Sequence, residues 1–145
     1  MLEIPVLALD PGLGLPGYAR PGDAGADLVA RNEALVAPGG GRALVPTGIA
    51  LAIPEGYAGF VMPRSGLAWK HGVTVANSPG LIDSGYRDEV KVILVNLDPA
   101  EPYHVRRGDR IAQLVIHAVV RAAFGVVEAL EASERGAGGL GHTGR

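Results

Sequence analysis

With 145 residues and a formal charge of −2, the chain has room for one domain with a real core, and its charge predicts no general attraction to nucleic acid or an anionic membrane. Hydrophobic residues make up 48% but aromatics only 5%, so the core must be aliphatic, and 22 glycines with 11 prolines point to a β-rich domain with many tight turns. Without cysteine, disulfides and thiolate chemistry are excluded.

The N-terminal MLEIPVLALDPGLGLPGY lacks a basic start and is interrupted by prolines. It reads as neither signal peptide nor membrane span, so a soluble cytoplasmic protein is the expectation. Short apolar runs then predict strands at EIPVLALD (3–10), RALVPTGIALAIP (42–54), GYAGFVMP (56–63), EVKVILVNL (89–97) and RIAQLVIHAVV (110–120). Pro46 predicts an edge or a break in the second run. SGLAWKHG (65–72) predicts a short helix, with Ser65 as its cap and Gly72 as its stop. In GLIDSGYRDEVKVILVN (80–96) a polar hairpin runs into EVKVILV, whose continuous apolar end predicts a strand buried on both faces. The last run also has helical spacing at Ile111, Leu114, Val115 and Ala118, but its β-branched residues favour a strand over 110–120. From Ser133 glycine takes over, which predicts a folded domain over 1–132 and a mobile tail over 133–145.

Five stretches carry more polar groups and glycine than a scaffold requires: DAGADLVA (23–30), PRSGLAWKHG (63–72), 77–96, GDRIAQLV (108–115) and RGAGGLGHTG (135–144). Arg64 and Ser65 at a helix start suit an anion, and equally an N-cap beside a surface arginine. The tail reads as a glycine-rich phosphate cradle or as plain linker. Asp27 and Asp83 suit a metal–phosphate site, or turns in which aspartate bonds its own backbone. Gln113 and Asn77 each place an amide where it needs a partner. The four histidines have no metal-ligand spacing, and Ser65 has no His/Asp partner motif, so zinc and triad-hydrolase readings are unsupported.

As an ordered set, AGADL (24–28), RSGLA (64–68), NSPGLIDSGYRDE (77–89), GDRIAQL (108–114) and RGAGGLGHTG (135–144) resemble the five motifs of the trimeric dUTPase family, which splits dUTP into dUMP and pyrophosphate. The resemblance implies an all-β, jelly-roll or β-clip type barrel with one short helix, in a homotrimer whose active sites lie at subunit boundaries. The glycine-rich arm would close over a neighbour's site. Asp83 would deprotonate the water that attacks the α-phosphorus, Gln113 would position it, and Asp27 would hold waters of a Mg²⁺ on the triphosphate. Arg64, Ser65 and Gly66 would grip the phosphates. Asn77, Gly80 and Ile82 would read uracil largely through backbone, Tyr86 would pack against the sugar, and Lys91 would join them. Arg135, Gly139, Leu140, Gly141, His142 and Thr143 would form the closing arm. Such an enzyme keeps uracil out of DNA and supplies dUMP for dTMP synthesis. Partners beyond dUTP and the other subunits, nucleic acid and membrane included, are not expected.

Three positions depart from the family pattern. Leu140 stands where an aromatic usually stacks on uracil, a contact worth roughly 1–3 kcal/mol. His142 replaces a hydroxyl residue, and Asp88 replaces a glycine, a cheap exchange even if φ is positive there. A non-hydrolysing nucleotide-binding regulator is the alternative from another class. A dCTP deaminase relative is the other, but its catalytic glutamate position is Ile93 here.

Overall fold

The computed structural model describes residues 2–139. Its strands are β1 (Val6–Ala8), β2 (Ala26–Val29), β3 (Ala34–Val36), β4 (Gly41–Leu51), β5 (Tyr57–Met62), β6 (Val73–Val75), β7 (Gly80–Ile82), β8 (Glu89–Asn96), β9 (Tyr103–Val105) and β10 (Arg110–Ala118), with one helix, α1 (Ser65–His71). They form one four-stranded sheet in the order β1-β4-β8-β6, a second in the order β2-β10-β5-β7, and a two-stranded pair β3-β9. Every pairing is antiparallel. Alternating side chains from the two sheets, Val45, Leu51, Val90, Val92 and Leu94 against Leu28, Val61, Ile111 and Leu114, fill an aliphatic core between them. The composition predicted a β-rich domain with an aliphatic core, and that is what fills the space between the sheets.

The five long runs all became strands, some shorter than their apolar stretches. β10 ends at Ala118, and residues 119–137 are exposed. Five further strands of three or four residues, β2, β3, β6, β7 and β9, are too short to show a period. Pro46 lies in an inner strand, and the pairing breaks there: Pro46 faces Lys91 but Ala50 faces Glu89. A proline cannot donate to the ladder, so the strand bulges at Gly48, whose φ is +76°.

Three expectations are corrected. Arg64, not Ser65, occupies the N-cap of α1 and makes no side-chain capping bond, while Gly72 closes the helix in the left-handed region at φ 64° as expected. The 80–96 segment is not a hairpin. β7 pairs with β5 and β8 with β4, so the polar turn at 83–88 crosses from one sheet to the other. Nor is β8 buried on both faces: Ile93 and Val95 are only half-buried, because none of the described residues covers the outer face of its sheet.

Candidate active site

Two groups of site residues emerge, both positioned by the second sheet. The first lies across β2 and β10, where antiparallel register sets Asp27 opposite Gln113. Gln113 donates from Nε2 to Asp27 Oδ1 at 3.5 Å. Arg64, at the mouth of α1, brings Nε to 3.4 Å from Asp27 Oδ1 and donates from Nη1 to the Arg110 carbonyl at 3.1 Å. Arg110 donates from Nη1 to Asp27 Oδ2 at 3.2 Å. The half-buried Asp27 carboxylate is thus held between two guanidiniums, with net positive charge left to face an anion. Ser65 and Gly66 stand exposed on the first turn of α1, beside Arg64. Gly25 explains the close approach: a Cβ there would lie 2.9 Å from the Gln113 Cβ.

The second group is built on the 83–88 crossover. Tyr86 donates its hydroxyl to the Glu89 carbonyl at 2.9 Å, and its N–H to the Asp83 carbonyl at 3.1 Å. Ile82, Tyr86 and Lys91, with Leu81 and Val90, line a cleft of about 240 Å³. Ile82 buries its side chain in the core, so it can offer a ligand little beyond its main chain. Asp83 is exposed and lines a larger cleft of about 660 Å³ with Tyr57, Ser84, Gly85, Arg87 and Arg121. Gly80 leaves room for Asn77, whose Nδ2 would lie 3.4 Å from an added Cβ. Asp88 needs no special conformation, since no described residue other than glycine has positive φ; its carboxylate accepts from the Glu89 N–H at 2.7 Å and lies 3.9 Å from Lys91 Nζ.

No hydrogen bond or ion pair among the described residues joins the two groups. Arg135 stands apart from both and donates to the Gly138 carbonyl at 3.0 Å, with Gly139 exposed beside it. Leu140, Gly141, His142 and Thr143 lie outside the described residues. Sequence reasoning missed Arg110, which reads as an ordinary charged residue at a strand start. The signal was its place three residues before Gln113 on a strand that pairs with the Asp27 strand.

The dUTPase family model matches residues 13–144. The chain belongs to the dUTPase family. The deoxyuridine 5'-triphosphate nucleotidohydrolase of Thermobifida fusca is 59% identical over 143 residues, covering 99% of this chain and 79% of the relative. That of Cutibacterium acnes is 58% identical over 130 residues, covering 90% and 85%. Among solved structures, the Staphylococcus bacteriophage 80alpha dUTPase with dUPNHPP superposes with a TM-score of 0.88 at 27% identity over the whole of both chains. A mutant dUTPase from phage phi11 of S. aureus, described for its coordination of a structural Mg(II) ion, matches with a TM-score of 0.82 at 25% identity, covering 90% of this chain and all of that one. The jelly-roll type fold expected from the sequence is therefore the fold of this dUTPase family member. No described helix is long and apolar enough to cross a membrane.

Proposed function

We propose that the chain hydrolyses dUTP to dUMP and pyrophosphate, by attack of a water on the α-phosphorus. The observation that carries this reading is the exposed Asp83 carboxylate at the head of a crossover turn whose Tyr86 and Lys91 line a cleft. Asp83 takes a proton from the water as its oxygen bonds to phosphorus, and the bond from the α-phosphorus to the bridging oxygen breaks to release pyrophosphate. Tyr86 lies against the sugar and leaves no room for a 2′-hydroxyl. The main chain of Gly80–Ile82, with Asn77, reads uracil by hydrogen bonds that cytosine would mismatch. Gln113 positions the water or an α-phosphate oxygen, and Arg64, Ser65, Gly66 and Arg110 hold the phosphates.

Asp27 suits a Mg²⁺ held through water. Its oxygens already serve Arg64, Arg110 and Gln113, and no cluster of three or more His, Asp or Glu among the described residues would hold a bare ion. Asp27 would hold such an ion through water, and the ion would supply neutralisation of the charge on the departing pyrophosphate.

That no hydrogen bond or ion pair among the described residues joins the two groups supports a homotrimer with shared sites. One subunit gives the crossover turn, the next gives Asp27, Arg64 and Gln113, and the third gives an arm over 133–145 in which Arg135, Gly139, Leu140, Gly141, His142 and Thr143 close on the γ-phosphate and the base. We place the enzyme in the cytoplasm, where it limits uracil incorporation into DNA.

The test is pyrophosphate release from dUTP, dCTP, dTTP and UTP, with Mg²⁺ and with EDTA. The expected result is Mg²⁺-dependent cleavage of dUTP alone, reduced about 10²–10⁴-fold in Asp83→Asn. A second reading, a nucleotide-binding regulator, draws on the G protein-like control of virulence-gene transfer described for the phage relative. Tight dUTP binding without cleavage would sink the hydrolase and favour the regulator.

A further inference from the structure

Glu89 begins β8 at the foot of the crossover turn, and its side chain is 12% exposed. Its carboxylate accepts from the Gly48 N–H at 2.8 Å and from Arg31 Nη1 at 3.3 and 3.4 Å. The Gly48 N–H is free for this because the β4 bulge has lifted it out of the ladder. Arg31 brings its Nε to 3.5 Å from Asp10 Oδ2. Arg107 closes the chain, bridging to both oxygens of Asp10, donating Nη2 to Oδ1 at 2.9 Å, and reaching the Arg31 carbonyl with Nη1 at 2.9 Å. Three charged residues from separate segments, Arg107, Asp10 and Arg31, thus form a chain that ends on one carboxylate. That carboxylate belongs to the residue whose carbonyl holds the Tyr86 hydroxyl at 2.9 Å.

We propose that Glu89 is a positioning residue for sugar selection: braced by Arg31 and the Gly48 amide, it fixes the carbonyl that sets the Tyr86 ring. The proposal rests on the reading of Tyr86 as the sugar contact. A phenol tethered at its far end can swing only with its anchor, so the rigidity of the anchor decides how firmly the ring rejects a 2′-hydroxyl. Arg31 and Asp10 touch neither cleft and act only through this relay.

The experiment measures kcat/KM for dUTP and for UTP in the wild type, Tyr86→Ala, Tyr86→Phe, Glu89→Ala and the Glu89→Ala/Tyr86→Phe double variant. Glu89→Ala is expected to lower the dUTP-to-UTP ratio about three- to tenfold, the worth of one lost hydrogen bond, chiefly through a raised kcat/KM for UTP. In the Tyr86→Phe background, where the tether is already gone, Glu89→Ala should move the ratio no further. An equal drop in both backgrounds, or an intact ratio in Glu89→Ala while Tyr86→Ala abolishes selection, overturns the brace. An intact ratio in Tyr86→Ala overturns the sugar-contact reading itself, and the brace with it. Should Glu89→Ala not fold, Arg31→Met breaks the relay while leaving the Gly48 bond, and the same ratios decide.

Discussion

Gly25 owes its place to a neighbour rather than to a turn. An added Cβ would meet the Gln113 Cβ at 2.9 Å and its Cδ at 3.2 Å, closer than packed carbons tolerate. The amide must then retreat, and it retreats from Asp27. Gly25→Ala is therefore expected to lower kcat, on the order of 10²-fold for a displacement near 1 Å, while unfolding shifts by no more than about 1–3 kcal/mol. Gly14→Ala, where a Cβ meets nothing, is the control; equal kinetics in the two variants would remove Gln113 from the machinery. At this scale the motifs made most of the candidate site legible, since Gly25, Asp27, Arg64 and Gln113 all sit in quoted stretches. What they hid was which residues serve each other. Arg110 gains its meaning only from lying across a strand pair from Asp27, and Ser65 loses its capping role only once Arg64 is seen at the N-cap.

Elements were legible where they lay in long apolar runs, as even the three-residue β1 did. Period-two alternation needs several residues to declare itself, so β4, β5, β8 and β10 stood out while three-residue strands such as β6 and β7 did not. Pro46 announced the break in β4 correctly, but the use made of it, an amide released to Glu89, depends on residues distant in sequence. The brace behind that amide has a pH signature. The hydrogen bond from Arg107 holds the Asp10 carboxyl down at about 2 against the opposing effect of desolvation, with Arg31 helping. Because the folded value is depressed, the stabilisation is complete above the ordinary value of 3.8 and is lost as pH falls towards 2. The melting-temperature gap between wild type and Asp10→Asn should be constant above pH 5, narrow below about pH 4 and vanish near pH 2. Carboxylates common to both proteins, Asp98 with its amide-lowered value among them, cancel in the comparison. A gap that stays constant down to pH 2 would show that the Asp10–Arg107 pair does not stabilise the fold.

At the scale of the whole molecule, the described residues leave apolar surface uncovered. Leu44 is 61% exposed on the outer face of the first sheet, directly across from the half-buried Ile93, with Val95 further along the same strand. Beyond β10, Phe124 is 97% exposed and Val120, Val126 and Leu130 are as bare. The uninterrupted apolar end of EVKVILV, read from sequence as a strand buried on both faces, makes sense if a second subunit supplies the missing cover, and solvent-facing patches of this kind mark association sites. The same assembly would bring together the two groups of site residues, which no hydrogen bond or ion pair among the described residues joins. Leu44→Asp sets a carboxylate in the middle of that face. Burying it unpaired costs on the order of several kcal/mol per subunit, and a trimer carries the penalty three times. The expected outcome in sedimentation is a folded monomer with β-rich circular dichroism, and dUTP hydrolysis lost, because under the proposed division of residues no single chain owns a whole site. A Leu44→Asp protein that still sediments as a trimer would move the interface to another face. A monomer that still hydrolyses dUTP would mean that one chain completes its own site, and the division of residues between subunits would have to be redrawn.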